Sequence, residues 1–245
     1  MTLEPWQWAL AVVAALVIGL AKTGISGMGL LAVVMFANLL PARQASGFVL
    51  PMLVFADVVA VLSYRRHAQW SYLWKLFPWT ALGVVAGYFA LGRIDDRQAK
   101  VMIGVIVLAL LTLHLARRAR PAAEERAEYG FWYAPAVGVL AGFTTLVANA
   151  AGPLMVIYLL SMRLPKMEYM GTGAYYFLLM NLFKVPFMMN LGLIDARSFT
   201  GNLILLPAVI VGALAGRVIL LRINQKLFEN LALGLSAVAG VKLLF

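Results

Sequence analysis

Leu146 to Pro153, LVANAAGP, and its weaker echo Thr23 to Leu30, TGISGMGL, decide how the chain is organised. Each interrupts a long apolar run with small residues, and each is followed by a short apolar segment that reads as a half-length helix. Helix N-termini carry unpaired N–H groups and a partial positive charge. Two of them buried in a bilayer would attract an anion.

Outside the breaks the chain is overwhelmingly apolar. Hydrophobic residues make up 63% of it and charged ones 12%, and the mean hydropathy is +0.90. That is far from the balance of a soluble domain, so the expectation is an all-α, polytopic membrane protein. A formal charge of +10 would point to nucleic acid in a soluble protein. Here Lys and Arg occupy short gaps between apolar runs, where they set orientation, and the expected partner is the lipid bilayer, not nucleic acid. The absence of cysteine excludes disulfides, thiolate nucleophiles and Cys-based metal sites. MTLEPWQW runs straight into an apolar segment without the basic region and cleavage site of a signal peptide, so the amino terminus is expected to be retained.

The apolar segments run over 6–21, 29–40, 45–64, 72–92 and 99–116, then 131–147, 152–162, 168–190, 199–221 and 227–244. Between the two sets of five lies RRARPAAEERAEYG, so the expected division is 1–116, a cytoplasmic linker 117–130, and 131–245. Segments 29–40 and 152–162 fall short of the ~20 residues that cross the hydrocarbon. They are expected to be re-entrant or tilted against a broken partner.

The two sets are related in sequence. Pro41 and Pro165 stand 124 apart, as do Gly47 and Gly171, Asp57 and Asn181, Val61 and Val185. At an offset of 129, Leu76, Pro78, Gly83, Ala86 and Gly87 fall on Leu205, Pro207, Gly212, Ala215 and Gly216, and Arg93 and Ile94 fall on Arg222 and Ile223. Upstream, at 123, Gly19 meets Gly142 and Gly29 meets Gly152. This is the signature of an internal duplication. Five segments per copy is odd, so the second copy should be inverted. If the chain reverses after each segment, one side collects twelve Lys and Arg, including Arg65, Arg66, Arg117, Arg118, Arg163 and Lys166, and the other collects six. The richer side is cytoplasmic, with both termini outside. The basic run Arg65-Arg66-His67 corresponds to Asn190-Leu191-Gly192 in the second copy, where inversion places it outside.

A duplicated small membrane protein with a glycine-rich break early in each half and a GPLMVIYLL run after the second resembles the TauE/SafE sulfite exporter family, also called the toluene sulfonate uptake permease family. The resemblance covers nearly the whole chain. It implies a secondary transporter that moves sulfite, organosulfonates or other small anions, usually outward, across a cell membrane, with the bacterial inner membrane as the expected location. Family breaks often carry consecutive glycines followed by proline. Here the first reads Gly24, Ser26, Gly27 and Gly29 without proline, and the second Asn149, Ala150, Ala151, Gly152 and Pro153.

Candidate substrate-binding residues gather at these breaks: Gly24, Ser26, Gly27 and Gly29 in the first, Thr145, Asn149, Ala150 and Gly152 at the second. Against a ligand role stands tight helix packing by small residues. Pro153 suits a first helical turn, and Asn149 suits either a helix cap or a ligand contact. Thr144 is expected to bond back to its own helix. Lys184 lies deep in a span, where insertion costs about 2.5 to 3.5 kcal/mol, and Asn181 shares its face. Asp57, at the position equivalent to Asn181, is a proton-coupling candidate and stands where it could pair with Lys184 across a pseudo-twofold axis. A structural ion pair and a role in binding both remain open for the two. Lys22 either snorkels to the interface or points at the anion site, with the site favoured. His67 is expected to be solvated, His114 packed, and Tyr175 and Tyr176 either cavity-lining or packed. Gly83, Gly87, Gly212 and Gly216 form GxxxG pairs for close helix contact, and the tryptophans an interfacial belt.

No Walker loop, HExxH or GxSxG occurs, and the loops are too short for a catalytic domain, so no enzyme, cofactor or metal is expected. The alternatives to a carrier are an anion channel or a non-transporting membrane assembly factor. Homo-oligomerisation is left open.

Overall fold

The computed structural model describes residues 4–40, 42–91, 93–118 and 130–244. Most of the expected linker, 119–129, lies outside these, as does Pro41. Ten α-helices carry the described chain, with no strand among the described residues. They are α1 (Pro5–Thr23), α2 (Gly29–Ala37), α3 (Ala42–Tyr64), α4 (Trp70–Ala90) and α5 (Asp96–Arg118), then α6 (Tyr133–Ala148), α7 (Ala151–Ser161), α8 (Lys166–Asn190), α9 (Ala196–Arg222) and α10 (Gln225–Lys242). A 3-10 turn, Arg65–His67, joins α3 to α4.

Polar residues mark several helix starts. Asp195 Oδ1 accepts from the Ser198 amide at 2.6 Å to open α9, and Asn224 Oδ1 accepts from the Leu227 amide at 2.8 Å to open α10. Three helical stretches, Pro5–Thr23, Gln44–His67 and Ser198–Arg222, are long and apolar enough to cross a membrane. The 9-residue α2 and 11-residue α7 reach only ~14 and ~17 Å at 1.5 Å per residue, about half of a 30 Å hydrocarbon layer. Large apolar side chains such as Leu62, Trp74, Phe89, Ile204 and Leu221 face outward, as lipid contact requires.

Packing does not follow the division of the chain. The most extensive helix contacts join α1 to α9 and α4 to α6, so each half's first helix lies on the other half's fourth. Glycines permit the approach. A Cβ on Gly212 would stand 2.0 Å from the Leu16 carbonyl oxygen, and one on Gly83 would stand 2.1 Å from that of Val139. Reciprocally, a Cβ on Gly19 would meet Val209 O at 2.0 Å, and one on Gly142 would meet Thr80 O at 2.0 Å. Further contacts pair α3 with α8, α3 with α9 and α4 with α8. Two apolar cores result. One draws on α1, α2, α3 and α9. The larger draws mainly on α4 to α8 and α10.

Internal prolines leave carbonyls without helical donors. Around Gly47, the residue four before Pro51 in α3, asparagines from the other half supply donors. Asn149 Nδ2 reaches Ser46 O at 2.9 Å, and Asn202 Nδ2 reaches Phe48 O at 2.8 Å. The carbonyls on either side of Gly47 are thereby tied to the end of α6 and to α9.

Candidate functional site

The second break is shaped by Asn149. It closes α6 in the left-handed conformation, φ 51° and ψ 32°, with its amide directed to the Thr145 carbonyl at 3.0 Å. Asparagine is among the few non-glycine residues that enter this region readily. Capping of α7 by Asn149 does not occur. The residue preceding α7 is Ala150, with no side-chain cap, because the left-handed turn sends the Asn149 amide group to Ser46 on α3 and Lys184 on α8. Pro153 sits in the first turn of α7, where it has no hydrogen bond to lose.

Lys184 is fully buried. Its ammonium donates to Thr145 O at 3.1 Å, Thr145 Oγ1 at 3.0 Å and Asn149 Oδ1 at 2.6 Å. All three protons are used, on neutral oxygens. The expected pairing of Lys184 with Asp57 is therefore corrected: the end of α6 takes the ammonium before it can meet the carboxylate. Asp57 pairs instead with Lys22, whose Nζ lies 2.7 Å from Oδ1, while Asn181 Nδ2 donates to Oδ2 at 2.5 Å. Asp57 and Asn181, 124 residues apart in the chain, thus meet each other where α3 crosses α8. Lys22 does not snorkel. It turns inward from the end of α1, with Nζ 3.9 Å from the centroid of the Phe177 ring, a cation–π contact.

A cavity of about 70 Å³ lies between the breaks. Ser26, Gly27 and Gly29 reach it from the first, and Asn149, Gly152 and Pro153 from the second. Lys22, Thr145, Tyr169 and Asn181 complete its polar lining. Lys184 and Asp57 stand one side chain behind the wall, holding Thr145, Asn149, Lys22 and Asn181 in place. Two candidates lie elsewhere. Gly24 serves helix contact, since a Cβ there would stand 2.6 Å from Gly216 Cα. Ala150 is buried in the core away from the cavity wall.

The remaining polar residues pack. Thr144 Oγ1 donates to Ala141 O, as expected of a back-bonded hydroxyl. Tyr176 donates to Thr80 Oγ1 at 3.3 Å, and the Tyr175 ring lies tilted against that of Trp70 with 4.7 Å between centroids. His114 bonds Ser161, and His67, expected to be solvated, is half-buried where its backbone meets Gly171.

The apolar wall was not anticipated from the sequence. Met170, Gly173, Ala174 and Phe177 line the cavity in register with Asn181, spaced three or four residues apart along α8. That spacing is a legible helical face, but a stripe of small and apolar residues in a span reads first as packing.

No curated protein and no solved structure matches the chain. A family model described as sulfite exporter TauE/SafE matches residues 11–243. A multi-pass architecture, two broken helices at one cavity and this match agree: the chain belongs to the TauE/SafE sulfite exporter family of membrane transporters.

Proposed function

We propose that the protein is a secondary transporter that exports a small anion, sulfite or an organosulfonate, by exposing the cavity alternately to the two sides of a bacterial inner membrane. One observation carries this reading: both helix breaks open on a single cavity whose surroundings hold two lysines and one carboxylate. Burial of Lys184 among neutral oxygens costs free energy that a bound anion would offset. Lys22, Ser26, Thr145, Asn149 and Asn181 supply donors at the wall, and Asp57, released from Lys22 when an anion competes for that ammonium, is the group to carry a coupled proton.

Alternation needs two related bodies, and we read 1–116 and 131–245 as inverted copies. The reciprocal glycine contacts support this, because residues aligned by the sequence offsets make the same approach in both places: Gly212 on Leu16 as Gly83 on Val139, Gly19 on Val209 as Gly142 on Thr80.

The test is flux into proteoliposomes holding the purified chain, with sulfite, sulfoacetate and ethanesulfonate as solutes, uptake of any one of them supporting the reading. Saturable uptake is expected. Lys184→Ala should lower it about 10- to 100-fold, because Thr145 and Asn149 lose the charge-assisted hydrogen bonds that position them at the wall. Undiminished flux in Lys184→Ala removes that residue from the site, and conduction that does not saturate replaces the carrier with a channel.

A further inference from the structure

Resting on the transporter reading, we infer that the cavity selects a monovalent anion with a short apolar body over a divalent bare oxyanion. Two independent observations carry the inference, one of charge and one of surface.

Lys22, Asp57 and Lys184 are the ionisable groups gathered around the cavity, and with each in its charged form they sum to one positive charge. Lys22 and Asp57 neutralise each other across 2.7 Å. Lys184, with three oxygens at donor distance, is the surplus. With Asp57 ionised, its coupled proton released, a monovalent guest brings the buried set to zero. A divalent guest leaves it with one uncompensated negative charge away from water, the condition that buried ions tolerate least.

The wall opposes a bare oxyanion on different grounds. Beyond its polar lining the cavity presents Ile18, Val33, Leu53, Leu159, Met170 and Phe177. An oxyanion with oxygens on every side would turn some of them against this surface, losing hydration without a replacement donor. A sulfonate or carboxylate with an alkyl body presents oxygens to Lys22, Thr145 and Asn181 and carbon to the rest. Since one water needs about 10–15 Å³ of such space, a cavity of about 70 Å³ admits a head group and a short tail only.

The experiment is uptake of labelled ethanesulfonate by proteoliposomes of the full chain, in competition with sulfate and with alkanesulfonates of increasing length. In the unmodified protein each added methylene should strengthen competition about fourfold until the cavity is full, and sulfate should compete about tenfold more weakly than ethanesulfonate, or worse. Asp57→Asn raises the buried charge to two and should move the ratio toward sulfate by about tenfold. Val33→Ser, which touches none of the charges, should flatten the dependence on tail length. Sulfate competing as well as ethanesulfonate in the unmodified protein, or indifference to tail length, overturns the inference and leaves the transporter standing. Absence of uptake for every anion overturns the transporter reading, and this inference with it. The valence and length series need no variant, so misfolding of either substitution does not decide the outcome.

Discussion

Two lysines inside one membrane domain meet different fates, and the difference lies in their acceptors. Lys22 has a carboxylate at 2.7 Å, whereas Lys184 has only neutral oxygens. Removing Lys22 leaves Asp57 a buried charge with Asn181 alone for company. Lys22→Met should therefore cost about 3–5 kcal/mol, seen as a lower melting temperature in detergent. The double variant Lys22→Met with Asp57→Asn should recover most of that loss. A double variant no more stable than the single one would contradict the pairing. Sequence depth alone made Lys184 and Asp57 legible as unusual, because charge in a span demands an explanation. It did not reveal their partners. Which oxygen reaches Lys184 depends on the left-handed turn at Asn149, a backbone choice that the letters NAAGP permit without dictating.

At the level of helices, close approach depends on missing side chains. Gly212 and Gly83 each face a carbonyl oxygen about where a Cβ would be, at 2.0 and 2.1 Å. Alanine at either position forces α1 from α9, or α4 from α6, and should cost about 1–3 kcal/mol. Because the two surroundings match, thermal denaturation of Gly83→Ala and Gly212→Ala should show similar losses. A large loss at one and none at the other would break the equivalence. Element boundaries were readable to within a few residues, since long apolar runs between charged gaps leave little choice. The partners of those elements were not, because GxxxG announces a close contact without saying with which helix.

Across the whole molecule, the charge distribution predicts that the loop at Arg65–His67 faces the cytoplasm and the α8–α9 connection faces outward. Reporter fusions after residues 66 and 195 should register opposite compartments; agreement between them would refute the inverted arrangement. The sequence offsets suggested a division into 1–116 and 131–245, and the cores are shared across it. The core that holds α1, α2 and α3 also holds α9, and the core around α6, α7 and α8 also holds α4.

For the alternating transporter proposed above, that exchange would decide where a gate could swing. The first half has given α4 and α5 to the larger core and the second has given α9 to the smaller, so in the proposed alternation a parting line through the cavity would cross the chain at 65–69, 191–195 and 223–224. Two leaves rocking about these short joints would carry α9 with α1 and α4 with α6 as rigid passengers. A staple tying α1 to α9 would then go unnoticed, whereas one tying α2 to α7 would jam the door.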